Sequence, residues 1–197
     1  MKNLSKKLII VAFIISNFIS FGNTKTDFNN TLSVINNTQL KVVYNDVKKG
    51  HTLTLRTEDG EKIYSEAITT DGQLVKVLDL SALENGTYSI ELEKDFSIVV
   101  NTIKVENNQV TFIENNDSVI FKPVVRTEDN LLLVSKIAFD KKPLLITIYY
   151  KDEVIYSETL ESKSIINKAY RLQKETKGAY RVVLHNNNRS YIHDFSF

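Results

Sequence analysis

Shifted by 92 residues, the chain aligns with itself: residues 36–105 match residues 128–197 at 14 of 70 positions. The identities cluster. Glu61, Ile63, Tyr64, Ser65 and Glu66 recur as Glu153, Ile155, Tyr156, Ser157 and Glu158, while Leu80, Gly86, Tyr88 and Leu92 recur as Leu172, Gly178, Tyr180 and Leu184. Grouped matches at one fixed spacing mark a duplicated structural unit, so the chain must build the same small domain twice.

Within each copy, apolar and polar residues alternate and turn residues interrupt at short intervals, which is the pattern of strands. Leu53 and Leu55, the turn Glu58-Asp59-Gly60-Glu61 and Ile63 predict a strand, a tight hairpin and a returning strand. Further strands are predicted at 31–35, 40–44, 73–80, 87–93 and 98–105. Asparagine runs at 29–30, 36–37, 107–108, 115–116 and 186–188 fall between them and predict turns, because asparagine tolerates a left-handed backbone. About seven antiparallel strands per copy predict two tandem sandwiches, immunoglobulin-like or fibronectin-III-like, in an all-β chain. The segment from Ser81 to Tyr88 predicts a corner between sheets: a helical turn, Gly86 for the bend, then Tyr88 packed inward with its hydroxyl on nearby backbone. Gly178 and Tyr180 repeat it, and all four residues read as structural.

Lys2, Lys6 and Lys7 precede a mostly apolar stretch over 8–21, with the small residues Ser20 and Gly22 at its end. That is the pattern of a cleaved signal peptide, expected as a helix over 1–22. A membrane-spanning helix needs about 20 apolar residues, more than this stretch offers, so no span is expected after cleavage. The expected organisation is a leader at 1–22, a first sandwich at 23–115 and a second at 116–197, in an exported protein of the periplasm, cell surface or medium. Residues 106–113 have no counterpart in the repeat, and the alternation of Val110 and Phe112 predicts a connecting strand. The chain has no cysteine, which excludes disulfides, thiolate zinc, a cysteine nucleophile and a lipidated cysteine, and leaves core packing to stabilise the fold.

A net charge of +1 gives no field for gripping nucleic acid. The charge is uneven, however. Without the leader, the part up to residue 115 carries −5 and the remainder +3. Arg171, Lys174, Lys177, Arg181 and Arg189 supply much of that excess, which suits either a solvated surface or a patch for an anionic glycan, a lipid headgroup or an acidic protein. The run Leu144 to Tyr150 is apolar at nearly every position, whereas the matching 51–57 alternates. A half-exposed sheet should be polar outside, so either domain packing covers this run or Tyr149 and Tyr150 form a platform for a sugar ring or another protein. The candidate partner surface is therefore Tyr149, Tyr150, Arg171, Lys174, Lys177 and Arg181.

Nothing in the sequence points to catalysis. His51, His185 and His193 lack metal-ligand spacing, and no nucleophile elbow, phosphate-binding loop or calcium loop occurs. Glu58, Asp59 and Glu61 belong to the hairpin turn, where solvation accounts for them. No catalytic residue, metal or cofactor is expected.

The run 55–66, followed by Leu78-Asp79-Leu80-Ser81-Ala82-Leu83 and Gly86-Thr87-Tyr88, resembles the C-terminal sorting domains of the Bacteroidetes type IX secretion system and related small secreted β-sandwiches. Those domains show a strand, a D-x-x-G-like hairpin and an L-S-x-L-x-x-G-x-Y corner. Neither copy here opens with Pro-Asn-Pro, and Tyr191 to Phe197 lacks the family's lysine-rich last strand. Asp117-Ser118-Val119 resembles the O-glycosylation acceptor of the same bacteria. The expected function is secreted, non-enzymatic binding or adhesion to a protein or glycan. The alternative is a component or cargo of a secretion or surface-attachment system with a sorting-like second module.

Overall fold

A computed structural model describes residues 24–27, 30–113, 118–161, 164–173 and 176–196; the expected leader, Asp117 and Lys174 lie outside these. Every regular element among the described residues is a strand. The chain forms two compact units that divide between Val119 and Ile120.

The first unit contains β1 (Thr24–Asp27), β2 (Asn30–Val34), β3 (Gln39–Val47), β4 (Thr52–Thr57), β5 (Lys62–Ala67), β6 (Gly72–Asp79), β7 (Gly86–Glu93), β8 (Ser97–Glu106) and β9 (Gln109–Phe112), and β10 (Ser118–Phe121) spans the division. One sheet runs β1-β2-β3-β6. The other contains β8-β7-β4-β5, with β9 folded back on β8. The second unit contains β11 (Val124–Glu128), β12 (Leu131–Ile137), β13 (Leu144–Tyr150), β14 (Glu153–Leu160), β15 (Ile165–Arg171), β16 (Ala179–Asn186) and β17 (Arg189–Ser196). Its sheets run β11-β12-β15 and β14-β13-β16-β17, the same order as β2-β3-β6 and β5-β4-β7-β8. The second unit is thus a three-on-four immunoglobulin-like sandwich in the fibronectin-III arrangement, and the first unit contains the same seven strands with β1 added to one sheet and β9 and β10 to the other.

Each sandwich has its own core. Leu40, Val42 and Tyr44 face Leu53, Ile90 and Leu92 in the first, and Leu132 and Val134 face Ile146, Val182 and Leu184 in the second. The corner tyrosines behave as expected: both are buried, Tyr88 donates to the Glu84 carbonyl at 2.8 Å and Tyr180 to the Thr176 carbonyl at 2.7 Å.

The repeat register holds for most paired strands and slips by one residue in two of them, β11 against β2 and the central strand β13 against β4. Leu40 lies opposite Leu78, and Leu132 opposite Tyr170, which preserves the shift of 92. On the central strand, however, the residue opposite both Glu66 and Leu92 is Leu53, and the residue opposite Glu158 and Leu184 is Ile146, a shift of 93. The hairpin that follows removes the extra residue. The first unit turns through Glu58-Asp59-Gly60, with Gly60 at φ 85°. The second turns through Lys151 and Asp152 alone, at φ 49° and 68°, the left-handed pair of a type I′ turn. Side chains alternate between faces, so a one-residue slip exchanges them. In the run 144–150, Leu144, Ile146 and Ile148 are buried, while Leu145, Thr147 and Tyr149 face outward, Leu145 as an exposed apolar side chain.

Two expectations change. Residues 106–113 do not form a connecting strand, because Asn107 and Asn108, both at positive φ, turn β9 back on β8 and bury Val110 in the first core. Asn30 is not in a turn; it opens β2 opposite Tyr44 and is buried.

Candidate functional site

The two sheets of each sandwich are joined at one side by edge strands, β5 with β6 and β14 with β15. A Glu–Lys ion pair bridges them at equivalent repeat positions, Glu66 with Lys76 and Glu158 with Lys168, the latter at 3.1 Å. The tyrosine that donates to the carboxylate differs. In the first unit it is Tyr64, from the glutamate's own strand. In the second it is Tyr170, from the opposite sheet, at 2.6 Å. Tyr156, the counterpart of Tyr64, is thereby released from the carboxylate. The residue is 45% exposed and its ring leans on Tyr170 with centroids 5.6 Å apart.

The hydrogen bond from Tyr170 holds the Glu158 carboxyl below the usual range; burial opposes this and Lys168 adds to it. For Glu66, burial pushes upward but the bonds from Lys76 and Tyr64 outweigh it, so the net direction is again down. A carboxyl lowered in the fold contributes stability above its unfolded value, about 4.3, and loses it as pH falls through the folded value. Glu158→Gln is therefore expected to lower the melting temperature at pH 7. The deficit should shrink as the pH is taken below about 4; a deficit of constant size across a pH series of melts contradicts the role given to the charge.

Beside this clasp the second unit opens into a cleft of about 560 Å³, lined by Tyr150, Tyr156, Tyr170, Tyr180, Lys168 and Arg171. Tyr150 is fixed at two points. Its hydroxyl donates to the Lys177 carbonyl at 3.0 Å, and its ring lies against Gly178, where an added Cβ would stand 3.2 Å from Cε2 on a backbone at φ 148°. Glycine is required there both for the backbone and for the close approach. Tyr180 packs between Tyr150, at 4.9 Å, and Phe195, at 5.5 Å. Lys151 holds its ammonium 5.1 Å from the Tyr150 ring centre. In the first unit the structural counterparts of Tyr150, Tyr170 and Arg171 are Thr57, Leu78 and Asp79. The second copy has thus gained two aromatic rings and a guanidinium around one opening.

The six residues marked as a candidate surface are not one surface. Successive strand residues point to opposite faces, so Tyr149 and Tyr150 form no shared platform. Tyr150 faces the cleft, whereas Tyr149 lies on the outer face opposite Arg181. Arg181 is committed to Asp194 at 2.6 Å. Arg171, which follows the inward-facing Tyr170 at the end of β15, is exposed and is among the residues around the cleft opening, and Lys177 is exposed in the loop whose carbonyl receives Tyr150. Tyr156, Tyr170, Lys168 and Tyr180 were missed as site residues. The available signal was the replacement of Leu78 by Tyr170 within the repeat.

No group of three or more potential metal-ligating side chains occurs among the described residues. His51 is buried and accepts the Lys48 N–H on Nδ1 at 3.1 Å, and His185 pairs with Ser190 at 3.0 Å. No described helix is long and apolar enough to cross a membrane.

The fold and cleft define a tandem of immunoglobulin-like β-sandwich domains. No protein-family model and no curated protein matches the chain. Among solved structures it is similar to the BSP domain of a biofilm associated protein, at 11% identity and TM-score 0.27, over 81% of this chain and 27% of that one. It is also similar to the human OSCAR ligand-binding domain, at 6% identity and TM-score 0.25, over 82% of this chain and 90% of that one.

Proposed function

We propose that the protein is an exported, non-catalytic binding protein of the adhesion type, with the tyrosine cleft of its second sandwich as the ligand site. One observation carries this reading: Thr57, Leu78 and Asp79 become Tyr150, Tyr170 and Arg171 at a single opening of an otherwise repeated scaffold. The cleft volume of about 560 Å³ lies within the roughly 300–1,000 Å³ typical of small-ligand sites. Its side chains supply flat apolar faces and hydrogen-bonding rims, with no nucleophile beside a base. Export rests on the basic and apolar pattern of residues 1–22.

The test is a glycan and peptide array probed with the full chain and with Tyr156→Ala. Tyr156 is partly exposed and belongs to neither core, so the variant should keep its melting temperature while weakening the array signal. Undiminished binding by the variant places the ligand elsewhere.

A second reading, in which the second sandwich docks the chain to a bacterial secretion or attachment system, draws on the hairpin and corner residues 55–66, 78–83 and 86–88 of the first copy and their fainter repeat in the second. Intact-mass measurement of the exported protein separates the two. Removal of the second sandwich at the surface favours sorting, and its retention favours binding.

A further inference from the structure

We propose that the cleft takes an anionic saccharide, a uronate ring laid on Tyr156 with its carboxylate held by Arg171. The inference rests on the binding reading above and adds the class of ligand. Tyr156 is 45% exposed, and its hydroxyl has no hydrogen-bond partner among the described residues. An exposed aromatic face beside polar groups suits the C–H face of a pyranose, because the ring buries those C–H groups while the sugar hydroxyls stay within reach of donors and acceptors. Gln173 and Thr176 line the same cleft, bonded to each other at 3.4 Å, and supply such groups.

The charge selects for an anion. Glu158 is the only carboxylate among the charged side chains of the clasp, and both its oxygens are occupied by Tyr170 and Lys168. Arg171 lines the cleft, while Lys151 lies over the Tyr150 ring and Lys177 shares the Tyr150 loop contact. None of these three has an ion-pair partner among the described residues. An exposed arginine at a cleft opening, without an ion-pair partner among the described residues, is the side chain best shaped to hold a planar carboxylate through two parallel bonds. A neutral sugar would leave it without such a partner.

The test uses the full chain and oligosaccharides of galacturonate, glucuronate and mannuronate, each beside its methyl ester, which keeps the ring and removes the charge. Titration calorimetry and amide chemical-shift mapping are read together. At least one acid should bind with shifts at Tyr156, Tyr170 and Arg171, and its ester should bind about tenfold more weakly, the worth of one charged hydrogen bond. Arg171→Gln should abolish the difference between acid and ester, and Arg171→Lys should restore part of it. Tyr156→Ala should weaken acid and ester alike, by about fivefold. Equal binding of acid and ester at the cleft overturns the anion selection and leaves the cleft standing as a binding site. Absence of shifts there with every acid overturns the saccharide assignment, and the array experiment with Tyr156→Ala then decides the binding reading separately.

Discussion

Ile146→Ala is expected to destabilise the second sandwich by about 2–5 kcal/mol while leaving the first core as protected as before. Ile146 is fully buried at the centre of β13, opposite Glu158 on one side and Leu184 on the other. Truncation removes apolar surface and leaves a cavity that a sheet hydrogen-bonded on both sides cannot collapse to fill. The core it damages is built from residues 132–184, and the first core from residues 32–110, with no member in common. Hydrogen exchange followed by fragment mass spectrometry should therefore show faster exchange in β12, β13, β15 and β16, with β3, β4 and β7 unchanged. Equal loss of protection in both sets would mean that the two units unfold as one.

Asp140→Ala should cost about 3 kcal/mol, a large effect for a surface carboxylate, because of what it leaves behind. Lys136 is buried on β12 with its ammonium 3.4 Å from Asp140, and its side chain is 1% exposed. The same place in the first unit is taken by Tyr44, whose hydroxyl donates to Asn101 at 3.0 Å. The second copy has put an ammonium where the first has a neutral phenol, and a buried charge without its partner is expensive. Asp140 also accepts the Lys142 N–H at 3.3 Å, so Asp140→Asn serves as the control that keeps this turn contact and removes the charge. Urea melts should place Asp140→Asn near Asp140→Ala, and Lys136→Met in the Asp140→Ala background should recover most of the loss. Recovery by Asp140→Asn alone would assign the cost to the turn instead.

Much of the fold was legible because it is written in local order. The strands expected at 31–35, 40–44, 73–80, 87–93 and 98–105 overlap β2, β3, β6, β7 and β8. The corner was legible too, since a glycine followed by a tyrosine after a helical turn carries its own geometry, and the Tyr88 and Tyr180 hydroxyls bond four residues back. The overall repeat of 92 residues would put Leu145 with Leu53, whereas matching 144–150 with 51–57 puts Ile146 there, as the pairing across the sheet does. No local pattern separates these choices, because both residues are apolar and the compensating deletion lies in the next turn.

The sequence by itself determined that one alternating unit occurs twice, where its turns fall and which tyrosines mark the corners, because period and turn chemistry are properties of neighbours along the chain. Only the tertiary structure decided that Tyr150 rather than Tyr149 faces the cleft and that Tyr170 takes over Glu158 from Tyr156. Those outcomes depend on contacts between strands of two different sheets, where a slip of one residue in β13 and one leucine exchanged for tyrosine in β15 decide which side chains meet.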